Sequence, residues 1–253
     1  PTPSKVLGKA RGSVANGIYS AAAGMAAQQV RLDVIANSLA NAGTFGYKSE
    51  RIGFRDLLYG AEGGVAVGSG AAAVDAGRSD AQGALGDSAD PLSLAIDGPG
   101  FFRVRRADGT LGLTRNGGFQ LDAKGALVTA SGEQLVPPIR VPAGTQPHDV
   151  TVAADGTVSL AGRTVGRVRL FTVAAPAQLL SIGNSSFAST RTSGAPVAAP
   201  AGTKILQSKQ EESNVDIATA MTDMLDAQQT YTMVSRALQT QDQLAQIANG
   251  LKR

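Results

Sequence analysis

The stretch Ser213–Leu251, SNVDIATAMTDMLDAQQTYTMVSRALQTQDQLAQIANGL, decides how the rest of the chain is read. Ile217, Met224, Tyr231, Leu238 and Ala245 recur every seven residues, and Ala220, Ala227, Val234, Gln241 and Ala248 stand three positions further on. An alternating three-and-four step is the seam of a coiled coil. Ser213 or Asn214 is placed to cap the helix and Asp216 to complement its dipole. Gly250 stands where a stop is expected. Neither Gly nor Pro interrupts Val215–Asn249, so the pattern predicts a helix roughly 50 Å long. One small domain cannot bury such a helix. A place in a buried bundle is the plainer reading; packing between molecules, or against the other end of the chain, is the preferred one.

The other end carries a matching pattern. From about Gly17 to Asn41, Ile18, Ala21, Met25, Gln28, Leu32, Ile35, Leu39 and Ala42 again step by three and four. A glutamine interrupts each seam, Gln28 here and Gln241 there, and polar seam residues fix register at some cost in stability. Residues 1–15, with Pro1, Pro3, Gly8 and Gly12, read as a flexible or weakly helical tail. The N-terminal helical segment is assigned to 16–48, ending in ANAGTFGYK, whose Asn41, Gly43 and Gly46 are cap and turn residues. Residues 49–90 open with an amphipathic piece, Ser49–Tyr59, and then become rich in Gly and Ala. They are expected to form a linker or extended segment without a compact core.

From Pro91 the period changes to two. Leu92, Leu94 and Ile96 alternate, and Asp97-Gly98-Pro99-Gly100 turns the chain into a strand at Phe101–Arg105. Asp108-Gly109 signals a hairpin, Asn116-Gly117-Gly118 a further turn, and short strands continue through Val173. This spacing predicts an all-β barrel or sandwich over 91–212, with the C-terminal helix in 213–253. The expected fold is therefore α+β: long N- and C-terminal coiled-coil-like helices bracketing a β domain.

The 253 residues are enough for one or two domains with a real core. Hydrophobic content is 43% but aromatics are only 4%, so Ala and Gly carry much of the apolar count and thin cores are expected. The absence of cysteine excludes a disulfide framework and thiolate metal sites. A net charge of +3, from 23 basic and 20 acidic residues, includes no polybasic tract, so nucleic acid is not an expected partner. No apolar run is long enough for a cleaved signal or a membrane-spanning helix.

Nothing converges on catalysis, and no catalytic, cofactor or metal residues are assigned. His148, the single histidine, sits in a turn beside Asp149 and reads as a solvated loop residue. The glycines of 98–100 fit no phosphate-loop spacing. Glu211-Glu212 is read as serving the dipole and solvation of the following helix. Arg103, Arg105 and Arg106, and later Arg163, Arg167 and Arg169, read as a solvated sheet face, with an inter-subunit salt-bridge surface as the sharper alternative.

Three segments in order resemble the rod and hook axial proteins of the bacterial flagellum. The first is Ala22–Asn41 with Thr44, Gly46, Tyr47 and Lys48, centred on Asn37, Leu39, Ala40 and Asn41. The second is Ile96–Val104 with Thr114–Gly117 and Phe119–Val128. The third is Ser213, Asn214, Val215 and Asp216 with Gln228, Tyr231 and Gln239–Gln243. The resemblance implies a structural, non-enzymatic subunit without cofactor, whose terminal helices form the inner core of a helical polymer, the torque-transmitting drive shaft from motor to hook. It also implies export through the flagellar type III apparatus without signal cleavage, a home in the basal body rather than a membrane, and other rod proteins and the hook protein as partners. Ile18, Met25, Leu32, Ile35, Leu39, Ile217, Met224, Tyr231, Val234 and Leu238 would then carry helix packing and polymerisation. There is no room for the outer domains of a hook subunit. Arg55-Asp-Leu-Leu-Tyr59 looks like the distal rod branch, and the short Gly-rich segment 60–75 leaves the proximal branch open. The alternative outside the family is a secreted or surface β-domain binding module oligomerised by its helices.

Overall fold

Two glycines of the N-terminal helix, Gly17 and Gly24, face residues of the C-terminal helix. The computed structural model describes the backbone of residues 3–57, 59–62, 65–68 and 70–250; side chains are described for these except at 3–16, 18, 59–62, 65–67, 245, 248 and 249. The chain divides into two bodies, Pro1–Leu39 with Glu50–Ala76 and Ile217–Arg253, and Ala40–Ser49 with Gly77–Asp216.

The first body holds α1 (Pro3–Ala40) up to Leu39, β1 (Glu50–Asp56), β2 (Tyr59–Glu62), β3 (Val65–Gly68), β4 (Ala71–Arg78) up to Ala76, and α2 (Ile217–Gly250). A methyl group on Gly17 would lie 3.0 Å from the Gln241 amide, and one on Gly24 would lie 4.0 Å from Val234 Cγ1. The Arg31 guanidinium donates to Asp223 Oδ1 at 3.2 Å. As numbers rise on α1 they fall on α2, so the helices pair antiparallel. Ala27 and Ala227 are buried. Small residues bring the backbones close, and close approach rather than deep burial makes the contact.

The expectation of long coiled-coil-like helices is corrected here. The helical stretches described with side chains, 19–40 and 217–244, are short and are not long coiled coils. The physical reason lies in the layers. A coiled coil needs a sustained seam of large apolar knobs, whereas these layers are glycine with glutamine, glycine with valine, alanine, and an ion pair. Backbone helix begins at Pro3, so residues 3–15 of the expected tail are helical, while Pro1 and Thr2 lie outside the described residues.

β1 pairs with β4 and β2 antiparallel with β3, a nested ribbon. Gly70, at φ +102°, lets the ribbon backbone approach α1: a Cβ there would lie 3.0 Å from both Ala23 Cβ and Ser20 O. Within 49–90, expected as a linker or extended segment, β1–β4 are extended and hydrogen-bonded.

The second body is built from β5 (Leu85–Asp87), β6 (Leu94–Asp97), β7 (Phe101–Arg105), β8 (Leu111–Thr114), β9 (Phe119–Leu121), β10 (Leu127–Thr129), β11 (Gln134–Leu135), β12 (Val150–Val152), β13 (Thr157–Leu160), β14 (Arg163–Arg167), β15 (Leu170–Thr172), β16 (Leu180–Gly183), β17 (Ser186–Ala188), β18 (Val197–Ala198), β19 (Lys204–Gln207) and β20 (Lys209–Glu211). The main sheet runs β16-β17-β8-β7-β11-β10-β9, with β15 beside β7 and β18 beside β15. β12-β13-β14 form a separate meander, and β6 pairs with β19 and β5 with β20.

β7 shows why this sequence folds this way. Successive side chains of a strand point to opposite faces. Phe102 and Val104 enter the larger core with Leu94, Ile96, Phe119, Leu127, Leu135 and Val158, and Phe101 enters the smaller core with Leu113, Val173, Leu179 and Phe187. Each core has an edge-to-face ring pair, Phe102 with Phe119 at 5.1 Å and Phe101 with Phe187 at 6.1 Å. With so few aromatics, both faces of this one strand take a large share of them.

Candidate assembly surface and a buried ionic node

On the helix pair, most seam residues named from sequence are partly covered, and Val234 is the one placed against Gly24 of the other helix. Met25, Leu32, Ile35, Leu39, Met224, Tyr231, Val234 and Leu238 are half-buried. Ile217 is exposed, and the side chain of Ile18 lies outside the described residues. Heptad reasoning missed a second set. Met221, Leu225, Met233, Leu244 and Ile247 lie off the seam, and with Ile217 they are 53–62% exposed. Their signal was large apolar residues at positions that a two-helix seam does not use. Gln28 Oε1 and Gln241 Oε1 are buried, with no hydrogen-bond partner among the described residues.

The family-signature residues occupy mixed environments. Asn37 and Ala40 are exposed, and Leu39, Asn41, Ser213, Asn214 and Val215 are half-buried. Gly46 is buried at φ +68°, where a Cβ would lie 2.5 Å from the Asn116 backbone nitrogen. Only glycine satisfies both the left-handed backbone and that contact.

Within the second body, Lys48, Arg115 and Glu211 form an ionic node. Lys48 Nζ donates to Glu211 Oε1 at 2.6 Å, and Arg115 donates to Glu211 Oε2 at 3.0 Å. The backbone N–H of Gly83 also reaches Oε1, at 3.0 Å. Lys48 further donates to Ala81 O at 2.7 Å, and Arg115 to Gly98 O at 2.9 Å. All three side chains are buried. The sequence reading of Glu211 as a solvated, dipole-complementing residue is therefore corrected; its neighbour Glu212 is exposed. The partners of Glu211 lie 163 and 96 residues away, and no local pattern announces them.

Burial pulls the Lys48 ammonium below its ordinary value of 10.5, against the opposing pull of Glu211. The folded chain then releases this proton before the unfolded chain does. Between the lowered value and 10.5 the unfolded state binds more protons, so raising pH across that window increases the stability contribution of this group. Denaturation of wild type and Lys48→Met at pH 8 and pH 10 checks the sign. The stability difference, wild type minus variant, is expected to shift in favour of wild type at the higher pH.

The arginine face also divides. Arg103 is half-buried over the Phe171 ring at 3.9 Å, and Arg106 pairs with buried Glu133 at 3.3 Å, which corrects the solvated reading for these two. Arg105, Arg163, Arg167 and Arg169 are exposed. His148 is exposed in its turn. Asp108 and Asp155 are held below the usual carboxylate range by bonds from Thr110 and Thr157, turn chemistry at both Asp-Gly sites. Among the described residues, no group of three or more His, Asp or Glu is placed to hold a metal, and no helix is long and apolar enough to cross a membrane.

Three family models match this chain in order: the flagella basal body rod protein over residues 18–48, the flagellar hook protein FlgE/F/G D1 domain over 95–160, and the flagellar basal body rod FlgEFG protein C-terminal region over 206–251. The chain is 34% identical over 260 residues to the flagellar basal-body rod protein FlgG of Borreliella burgdorferi, covering 93% of this chain and 98% of that protein. Against the FlgG of Agrobacterium fabrum it is 35% identical over 254 residues, covering 90% and 96%. The FlgF of Mesorhizobium japonicum is more distant, 29% identical over 216 residues, covering 85% and 88%. These relatives are structural rod proteins, not known enzymes, and they disfavour the binding-module alternative. The chain belongs to the flagellar basal-body rod protein family, on its distal-rod FlgG branch, and is a structural subunit of the rod in the bacterial flagellum.

Proposed function

We propose that the chain polymerises with copies of itself through α1 and α2 into a helical drive shaft that carries torque from motor to hook. Assembly with other flagellar rod and hook proteins follows from the family. Export through the flagellar type III apparatus, with no cleaved signal, belongs to the same proposal, as does the absence of a catalytic role.

One observation carries the reading. α2 is apolar on more than the side it turns to α1: Ile217, Met221, Leu225, Met233, Leu244 and Ile247 stand more than half exposed on one helix. Exposed apolar surface of this extent marks an interaction site. Seam residues Met25, Leu32, Ile35, Leu39, Met224, Tyr231, Val234 and Leu238, with Ile18, complete the packing set in this proposal. Isolated helices gain too little without packing, so the terminal helices order fully only on assembly.

Sedimentation and electron microscopy of the purified chain across rising concentration, with and without basal-body fragments as seeds, test the proposal. Filaments accompanied by rising helical circular dichroism are expected. A chain that stays monomeric throughout, with terminal helices already protease-resistant when dilute, would end it.

A further inference from the structure

We infer that Glu211, Lys48, Arg115 and Asn214 form a latch that holds three separate segments of the β body in one register, whether or not α1 and α2 are ordered. The latch ties together three segments, 46–49, 79–83 and 211–214, each close to a boundary between the two bodies, with Arg115 added from just past β8. Gly46 N donates to Glu211 O at 2.7 Å, and Ser79 N to Ser49 O at 2.9 Å. The side chain of Asn214 sews the segments together. Its Oδ1 accepts from Ser49 N at 2.8 Å, and its Nδ2 donates to Ala81 O at 2.9 Å and Ser79 O at 3.3 Å. Glu211 adds the buried charge, accepting from Lys48 of the first segment, from Gly83 of the second and from Arg115 at the end of β8.

Every partner named here lies in Ala40–Ser49 or Gly77–Asp216, so the latch is complete without a contribution from α1 or α2. Its specificity comes from charge. A buried carboxylate that loses its ionisation leaves two buried cations without a counter-charge, which no slipped register of these segments would avoid. Three crossing segments are thereby held in one register. This inference goes beyond polymerisation and does not depend on it.

Hydrogen exchange on the full chain, at concentrations below assembly, tests the latch. In wild type the amides of Gly46, Ser49 and Gly83 are expected to be protected like the core amides of Leu94, Leu127 and Val141. In Glu211→Gln the three latch amides should exchange about a hundredfold to a thousandfold faster while the core amides keep their protection. In the milder Asn214→Ala, Ser49 should accelerate about tenfold. The inference is overturned if wild-type latch amides exchange far faster than the core amides, if Glu211→Gln leaves them unchanged, or if core amides accelerate equally, since the node is then only part of the global fold.

Discussion

Gly117→Ala is expected to destabilise the β body by more than about 4 kcal/mol, in the exceptional range for a single methyl group. The reason is backbone against backbone. A Cβ on Gly117 would lie 1.6 Å from the carbonyl oxygen of Leu94 and 2.7 Å from its carbonyl carbon. Leu94 cannot retreat. Its side chain is buried in the larger core, its N–H donates to Gly117 O at 2.9 Å, and it pairs with Gln207 across β6 and β19. Gly117 is held from its other side, because the same carbonyl accepts from Phe119 N at 2.8 Å and Phe119 is fully buried. Native domains have only about 5–15 kcal/mol in hand, so much of the margin is lost. Gly109→Ala provides the contrast. Gly109 also has positive φ, +83°, but nothing lies within 4 Å of the added methyl. Its cost is the left-handed backbone alone, about 1–2 kcal/mol. Urea denaturation of both variants separates the two causes. Equal losses would show that the Leu94 contact does not govern the effect.

The same pair marks how far the sequence could be read. Asn116-Gly117-Gly118 and Asp108-Gly109 are both legible as turns, and turn chemistry is what the structure holds there: Asn116 Oδ1 accepts from Gly118 N and Asp108 Oδ1 from Thr110 N. That one glycine faces open space and the other a carbonyl is a long-range fact, invisible to local pattern. The terminal helices show the same division. Heptad spacing included Val234, which meets Gly24 of α1, and Ala227, which is buried. Their size as coiled coils was overread, because periodicity counts alanine and glutamine as seam members although neither supplies a large knob. Glu211 was misread for a complementary reason. Its position just before a helix offered a sufficient local role, while Lys48 and Arg115 reach it only through the fold. The surface of α2 proposed for assembly was hidden by the seam itself, since Met221 and Leu225 fall outside the heptad that organised the reading.

Replacing both of those residues, Met221→Asp with Leu225→Asp, is therefore expected to abolish polymerisation while leaving the free chain folded. Both are more than half exposed, so neither substitution opens a cavity, and the helix-propensity cost is at most about 0.7 kcal/mol each. In a filament the balance differs. Burying a Met or Leu side chain contributes about 1.5–3 kcal/mol, and the carboxylates that replace them would be desolvated without partners. The combined loss raises the concentration needed for assembly at least about a thousandfold, since each 1.4 kcal/mol is a factor of ten. A pair of aspartates elsewhere, Thr151→Asp with Ala201→Asp, adds the same charge at exposed positions of the β body and controls for simple repulsion. Sedimentation against concentration reads both variants, and exchange protection at Leu94 and Leu127 verifies that each remains folded. Filaments from the α2 variant at the wild-type concentration would remove this helix surface from the polymer contact. Equal loss from the β-body pair would show that added negative charge alone, not the apolar face of α2, governs assembly.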